Sequence, residues 1–389
     1  GACDWSSDVC SSDLRFPADV FVRNTDLYIA DKGNHMIRRV DLLTGTIHLV
    51  AGTGVSGYSG DGGPATSAQL YKPEGVYVDQ SNNVYIADTF NFAIRKIDGA
   101  SGIIESIAGT GAPGHAIEGG PAKDNPLEWV LDVMMSPDGE LHFVEQNGYN
   151  LYRKIDKDGN ITTLSGNAGA DEIGDCNPAE LGKFRKPASL AFDTEGNVFI
   201  ADEFNHKIRR IDARTNVMST VVGTGVAGFN GDGLLGSDTQ LNRPSGLAIG
   251  TDGILYIVDR YNQRVRSVDT LNPATIVPPS FAGAAPGEVV TVAGVGSAGF
   301  NGDGRDARKS QVSYPAGAAV APDGSVIFAD RSNHRVRKIT TDFNIITIAG
   351  NGERGYTGDG GDALFASLNF PTDVAVDDAG NVYIADERN

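Results

Sequence analysis

The sequence predicts an all-β propeller of four-stranded blades, six of them complete and a seventh incomplete. Three observations carry that prediction. A motif returns at a near-constant step of 57 residues, each unit divides into four short apolar runs, and no stretch of useful length carries the 3.6-residue period of a helix. Units of this size bury their faces only against their neighbours, so they stack into a ring or a solenoid. The continuous apolarity described below favours the ring.

The anchor of each unit is an apolar strand ending in Asp-x-x-Asn, followed by a strand carrying Ile-Arg-Lys or Ile-Arg-Arg. The anchors are Asp31, Asp88, Asp202, Asp259, Asp330 and Asp386, with Glu145 filling the gap; the steps are 57, 57, 57, 57, 71 and 56. The second unit shows the four elements in order. Pro73 precedes Gly75-Val-Tyr-Val-Asp79, and a polar turn leads to Val84-Tyr-Ile-Ala-Asp88. A tight turn through Asn91 gives Ala93-Ile-Arg-Lys-Ile-Asp98, and a Gly/Ser turn gives Ile103-Ile-Glu-Ser-Ile-Ala108. Runs rich in Val, Ile and Tyr, split by Gly, Asn and Asp, are strands.

The punctuation repeats as well. Pro73, Pro187, Pro244, Pro315 and Pro371 each stand 15 residues before their anchor, and Gly139, Gly196, Gly253, Gly324 and Gly380 stand 6 before theirs. Second strands such as Val198-Phe-Ile-Ala201 and Val382-Tyr-Ile-Ala385 are apolar without alternation, so both of their faces are covered, here by adjoining blades. The last apolar hairpin, 374–386, needs cover too. The expectation is a seven-bladed ring whose last blade keeps only its inner strands; the alternative is a closed six-bladed ring with an extra hairpin outside.

Runs such as Gly196-Asn-Val-Phe-Ile-Ala-Asp202-Glu-Phe-Asn205-His-Lys-Ile-Arg209-Arg-Ile-Asp212 resemble the NHL repeat, bacterial type, from about residue 17 to the last. The resemblance implies a β-propeller, usually six-bladed and used for many unrelated functions. The third unit departs from the pattern. It reads Glu145-Gln-Asn-Gly-Tyr-Asn-Leu-Tyr-Arg153, with Glu for Asp, a displaced Asn and one residue inserted.

Residues 1–14 fit no repeat. The run from Asp4 to Leu14 matches, in frame, the translation of a common sequencing-library adapter, so this leader is read as an artefact and the propeller as residues 15–389. The seventh unit stops before its third strand, which reads as truncation of a longer chain. Setting the leader aside removes Cys3 and Cys10 and leaves Cys176 alone, so no disulfide framework arises.

Acidic composition narrows the partners. The net charge is −18, or −15 from 32 basic and 47 acidic residues once Asp4, Asp8 and Asp13 are set aside. Such a surface repels phosphate backbones, and with no basic run in the chain nucleic acid is excluded. No apolar run reaches transmembrane length. Acidity and few cysteines fit a secreted or periplasmic bacterial protein.

Each anchor precedes an arginine by seven residues: Asp31 and Arg38, Asp88 and Arg95, Asp202 and Arg209, Asp259 and Arg266, Asp330 and Arg337. The pairs flank one hairpin turn, where a carboxylate can cap the turn and meet a guanidinium fork. Recurrence in nearly every unit marks a structural strut, because a catalytic site needs one copy. His35, His206 and His334 follow the motif Asn and belong to the repeat, whereas His48 and His142 sit in strands and His115 in a loop. No set of histidines departs from the repeat to form a zinc site.

The blade-to-blade loops share one face with the Asp-x-x-Asn turns. Four copies read Gly57-Tyr-Ser-Gly-Asp-Gly62, Gly228-Phe-Asn-Gly-Asp-Gly233, Gly299-Phe-Asn-Gly-Asp-Gly304 and Gly355-Tyr-Thr-Gly-Asp-Gly360, repeating Tyr58, Phe229, Phe300 and Tyr356 with Asp61, Asp232, Asp303 and Asp359. One acid per loop is a weak metal signal, so no cofactor is predicted, with calcium or another divalent cation as the alternative.

Function is sought where the repeat breaks. The loops around the third unit lose Gly-Asp-Gly, and that unit opens with Glu128-Trp129, with Val130 at the proline position. His115, Glu118, Trp129, Glu145, Tyr149, Glu172 and Cys176 would form one sector rich in acids and aromatics, suited to a sugar ring or a cationic peptide side chain. The other break, the Pro-rich stretch 273–286, is a surface excursion on the opposite face. The reading is a monomeric, non-enzymatic platform for a protein, peptide or glycan. Its alternative is a channel-centred enzyme, a lactonase-like hydrolase or a lyase, using a divalent metal.

Overall fold

The computed structural model describes residues 14–388 apart from 45, 115–118, 147, 149, 167–174, 176, 251, 271–286, 356 and 359–360. The excursion 273–286 and residues 1–13 of the leader lie outside the described residues.

Seven antiparallel sheets follow one another along the chain. In the first, Val20–Arg23, Asp26–Asp31, Met36–Asp41 and Thr46–Ala51 lie side by side in chain order. The same order recurs in the sheets spanning 75–108, 129–165, 187–222, 244–293 and 318–349, and the seventh holds only Pro371–Val376 and Val382–Asp386. In blades 2, 4, 5 and 6 the preceding loop adds a two-residue strand (Gly63–Pro64, Asn177–Pro178, Leu234–Leu235 and Arg305–Asp306) to the outer edge of the fourth strand. Each of these four loops therefore runs from the rim inwards, to the first strand beside the channel.

The apolar cores lie between blades, which explains the second strands that are apolar on both faces. Ala30 and Ile37 of blade 1 share a core with Val76 and Ile86 of blade 2, and a comparable cluster fills each later junction. Val374 packs with Ile327 and Ala329 of blade 6, and Ala385 packs with Val20, Leu27 and Ile29 of blade 1. The last hairpin thus stands in the ring as a two-stranded seventh blade.

The third blade carries its extra residue in the turn between Glu145 and Arg153, whereas the bulge between Val130 and Asp132 in its first strand recurs in blades 4, 5 and 7. Each Asp-x-x-Asn turn is a single 3-10 turn closed by one left-handed residue; His35, Phe92, His206, Gln263 and His334 hold φ between 52° and 58°. These turns and the inter-blade loops form the top face.

Candidate functional site at the channel mouth

Two sets of residues make the top face, one repeated and one varied. The repeated set is the strut. Asp88 Oδ1 accepts the Tyr71 N–H at 2.7 Å, and its Oδ2 accepts Asn91 Nδ2 at 2.8 Å. Asp202, Asp259 and Asp330 make the same two bonds through Arg185 and Asn205, Asn242 and Asn262, and Ser313 and Asn333. The following arginine approaches each carboxylate at 3.1 Å for Arg337–Asp330, 3.5 Å for Arg95–Asp88, 3.7 Å for Arg266–Asp259 and 4.0 Å for Arg209–Asp202. Asp31 accepts the Arg15 N–H and Asn34 Nδ2 and feels Arg38 electrostatically.

The inter-blade loop completes the strut. Its acid is the arginine's second partner: Asp61 to Arg95 at 2.5 Å, Asp232 to Arg266 at 3.0 Å, Asp303 to Arg337 at 2.9 Å, and Asp175 to Arg209 at 3.2 Å. Phe229 and Phe300 lie over Arg264 and Arg335 at 3.6 and 3.9 Å, and Tyr58 lies over Arg95 at 5.2 Å. The loops are lids on buried guanidinium groups. Burial, opposed by the hydrogen bonds and the arginines, pushes Asp88, Asp202, Asp259 and Asp330 up to about 6.

The varied set surrounds the channel. Each anchor is followed by one residue at the mouth, and its type varies round the ring: Lys32, Thr89, Gln146, Glu203, Arg260, Arg331 and Glu387. Below them the inner strands contribute a second ring, Asp19, Gly75, Asp132, Ser189, Gly246, Gly317 and Asp373. Most of both rings line a cavity of about 490 Å³. A second cavity, of about 950 Å³, opens on the opposite face among Phe21, Tyr77, Tyr85, Met134 and Phe192, and Leu247 and Ala318 line both. The channel is charged at one end and largely apolar at the other.

The three aspartates of the second ring latch neighbouring blades. Asp19 Oδ2 accepts the Val76 N–H of blade 2 at 2.8 Å, and Asp132 Oδ2 accepts the Leu190 N–H of blade 4 at 3.4 Å. Asp373 of blade 7 hydrogen-bonds Asp19 of blade 1, so the two carboxyls share a proton. Burial, then the charges of Asp373 and Asp132, raises Asp19 well above the carboxylate range; burial pushes Asp373 up to about 7 and Asp132 up to about 6. At Gly75, Gly246 and Gly317 the next blade is too close for a side chain. A Cβ on Gly317 would stand 1.9 Å from Asp373 Oδ1, and one on Gly75 would stand 2.7 Å from the Leu131 carbonyl.

Family profiles match this arrangement. The Teneurin NHL domain profile covers residues 15–269, and the NHL repeat profile covers 312–339 and 368–389. This chain belongs to the NHL-repeat family. The Arabidopsis thaliana protein SUPPRESSOR OF QUENCHING 1, chloroplastic, is 27% identical over 85% of this chain and 31% of its own length. NHL repeat-containing protein 2 of Gallus gallus is 27% identical over 87% of the chain and 48% of its own, and human Teneurin-1 is 26% identical over 62% and 10%. The NHL chain described here therefore spans half or less of these relatives. A streptogramin B lyase structure superposes with a TM-score of 0.60 at 14% identity over 97% of this chain and 92% of that one. An auxiliary nutrient binding protein of Bacteroides thetaiotaomicron gives 0.54 at 15% over 93% and 83%. At such identities the likeness shows the propeller fold alone.

Of the sector predicted from the broken repeat, His115, Glu118, Tyr149, Glu172 and Cys176 lie outside the described residues, as do Tyr356 and Asp359 of the fourth loop copy. Glu145 is 1% exposed and fills the strut position, accepting the Glu128 N–H at 2.7 Å and pairing with Arg153 at 3.1 Å. Trp129 is half-buried and stacks on Phe90 of blade 2 with centroids 5.3 Å apart. His142 is buried, 2.5 Å from the Tyr152 hydroxyl, and burial pulls it down to about 4. Among the described residues no three His, Cys, Asp or Glu side chains group closely enough to hold a metal ion. No described helix is long and apolar enough to cross a membrane.

Sequence reasoning missed both mouth rings. Their signal was present: three aspartates stand where the other units carry Gly or Ser, and the residue after the anchor varies among Lys, Thr, Gln, Glu and Arg.

Proposed function

We propose that this propeller is a non-enzymatic binding platform whose partner docks on the top face, centred on the channel mouth. One observation carries the reading. The struts, lids and turns repeat from blade to blade, whereas the residue after the anchor changes in charge and size round the ring, as Lys, Thr, Gln, Glu, Arg, Arg and Glu. Identical positions offer identical surfaces and cannot define one bound orientation. An uneven ring can, and five of its residues, Gln146, Glu203, Arg260, Arg331 and Glu387, line a cavity of about 490 Å³. The carboxylate pair inside the channel supports binding over catalysis, because Asp19 is committed to the Val76 N–H and to Asp373.

The partner is a protein or peptide, read from aromatic and charged residues on a rigid frame. Selection from a random peptide library on the folded protein tests this. Enriched peptides should bind Asp158→Ala, a change on the opposite face, as they bind the native chain. They should lose binding to Gln146→Ala/Glu203→Ala with unaltered melting. Binding lost through Asp158→Ala and kept by the double variant would overturn the proposal.

A further inference from the structure

We infer that the top face of blades 4 to 6 is a docking surface for a short acidic peptide segment of a partner protein. The inference rests on the top face being the binding face and names the chemistry it selects.

Four cations meet there from sequence positions that share no local run. Arg185 and Lys186 enter blade 4, Arg243 enters blade 5, and Arg260 follows the blade 5 anchor. Arg185, Lys186 and Arg243 lie over one ring, Phe204, at 5.7, 4.9 and 4.3 Å, and Arg243 also lies over Tyr261 at 4.8 Å. Among the described residues none of the four has a carboxylate within ion-pair distance. Glu203 is an acid whose carboxyl feels Arg260, Arg243 and Lys186 together. The other mouth cations differ, since Lys32 pairs with Glu74 at 2.7 Å and Arg331 with Glu387 at 2.5 Å.

An excess of bare cations runs against the composition, which has 50 acidic and 32 basic residues. Random placement would give these guanidinium groups acidic neighbours. Stacking on aromatic faces holds Arg185, Lys186 and Arg243 together despite their mutual repulsion.

Aromatic groups extend the patch. Tyr261 and Tyr314 are 42% and 38% exposed and meet edge to face at 5.5 Å. Exposed Tyr beside Arg is the composition of protein-interface hot spots. The backbone beneath is fixed. Lys186, Arg243 and Tyr314 hold φ of 54°, 52° and 46°, and each N–H donates to the preceding blade, to Asn150 Oδ1, His206 Nδ1 and Gln263 Oε1. A rigid patch loses little freedom on binding.

Net charge decides the size of the ligand. A long polyanion would lie along the rest of an acidic surface and be repelled, whereas a short acidic segment feels charges within about 8 Å at physiological salt. Only the patch lies in that range.

The test is fluorescence anisotropy of a short fluorescein-labelled peptide of Glu, Asp and Tyr on the intact protein. The native chain should bind it more weakly as salt rises. Lys186→Glu and Arg243→Glu, each at native melting temperature, should each weaken binding about tenfold or more. Arg214→Glu, an exposed change on the opposite face, should leave binding unaltered. If Arg243→Glu does not fold, Lys186→Glu decides alone. Equal binding by Lys186→Glu and the native protein would overturn the inference, as would no binding by the native protein. Tighter binding of a single-stranded oligonucleotide of equal charge would overturn it too, by assigning the patch to phosphate. If library peptides bind the mouth but are neutral or basic, this inference falls and the platform reading stands.

Discussion

The seam between blades 7 and 1 should make this protein less stable as pH rises through the mildly acidic range, and Asp373→Asn should abolish that effect. In the native state Asp373 keeps its proton up to about 7, because burial disfavours its charge and Asp132 adds repulsion. In the unfolded chain the proton leaves near the ordinary value of 3.8. Between these values the folded state binds the extra proton, so its stability is full below the unfolded value and is lost as pH rises to the folded one. Each pH unit removes about 1.4 kcal/mol, so the whole interval is worth at most about 4 kcal/mol, less where channel water solvates the charge. Asparagine keeps the shape and can still accept the Asp19 O–H through its Oδ1. Urea denaturation at several pH values measures the difference between variant and native chain. From about pH 5 to about pH 8 it should move by about 2–3 kcal/mol in favour of Asp373→Asn, while titrating groups that do not interact with Asp373 cancel. A difference that is flat with pH, or that moves towards the native chain, would refute the shared proton.

Three further outcomes follow from other joints. Asp202→Ala should cost about 3 kcal/mol by denaturant unfolding, because it strands Arg209 and uncaps the turn, and should leave binding unchanged at matched folded fraction. Gly317→Ala should lower the melting temperature through a clash with Asp373 that costs about 1–3 kcal/mol, and Asp373→Ala should rescue part of it. His35 and His334, lowered from 6.5 mainly by burial, accept the Lys72 and Phe370 N–H groups through Nδ1. Their contribution is present above about 6.5 and lost as pH falls below it, so His334→Gln, copying Gln263, should reduce the loss of stability in acid.

Much of this fold was legible because one period governs it. The 57-residue step locates each second strand, and the seven-residue offset pairs Asp202 with Arg209 from sequence alone. The last hairpin could be placed because its apolar strands need two neighbours, and it has them. The mouth was harder to read. Asp19 stands one residue nearer its anchor than Asp132 and Asp373 stand to theirs, so alignment on the anchors hides their common ring. The cationic patch is invisible in any window, since Lys186 and Arg243 are a full repeat apart and meet only across a blade junction. Acidic composition excluded a basic face because composition averages over a surface that the fold divides. Trp129 attracted notice as an irregularity; its ring supports a seam through Phe90.

The left-handed residue closing each anchor turn bears on how such a chain can lengthen. In five seams it is His, Asn or Gln, and it reaches a main-chain N–H of the following unit: Lys72, Lys186, Arg243, Tyr314 and Phe370. The receiving group is backbone, so it is the same whatever unit comes next. A duplicated repeat would find its socket ready without a matching change in its new neighbour, and copying could precede any adaptation of the joint. The seam after blade 2 is the exception. Phe92 offers no acceptor there, and the junction is held instead by the Thr89 hydroxyl donating to the Val130 carbonyl at 2.7 Å and by Phe90 stacked on Trp129. Those two units are joined by side chains fitted to each other, and they would be inherited as a pair.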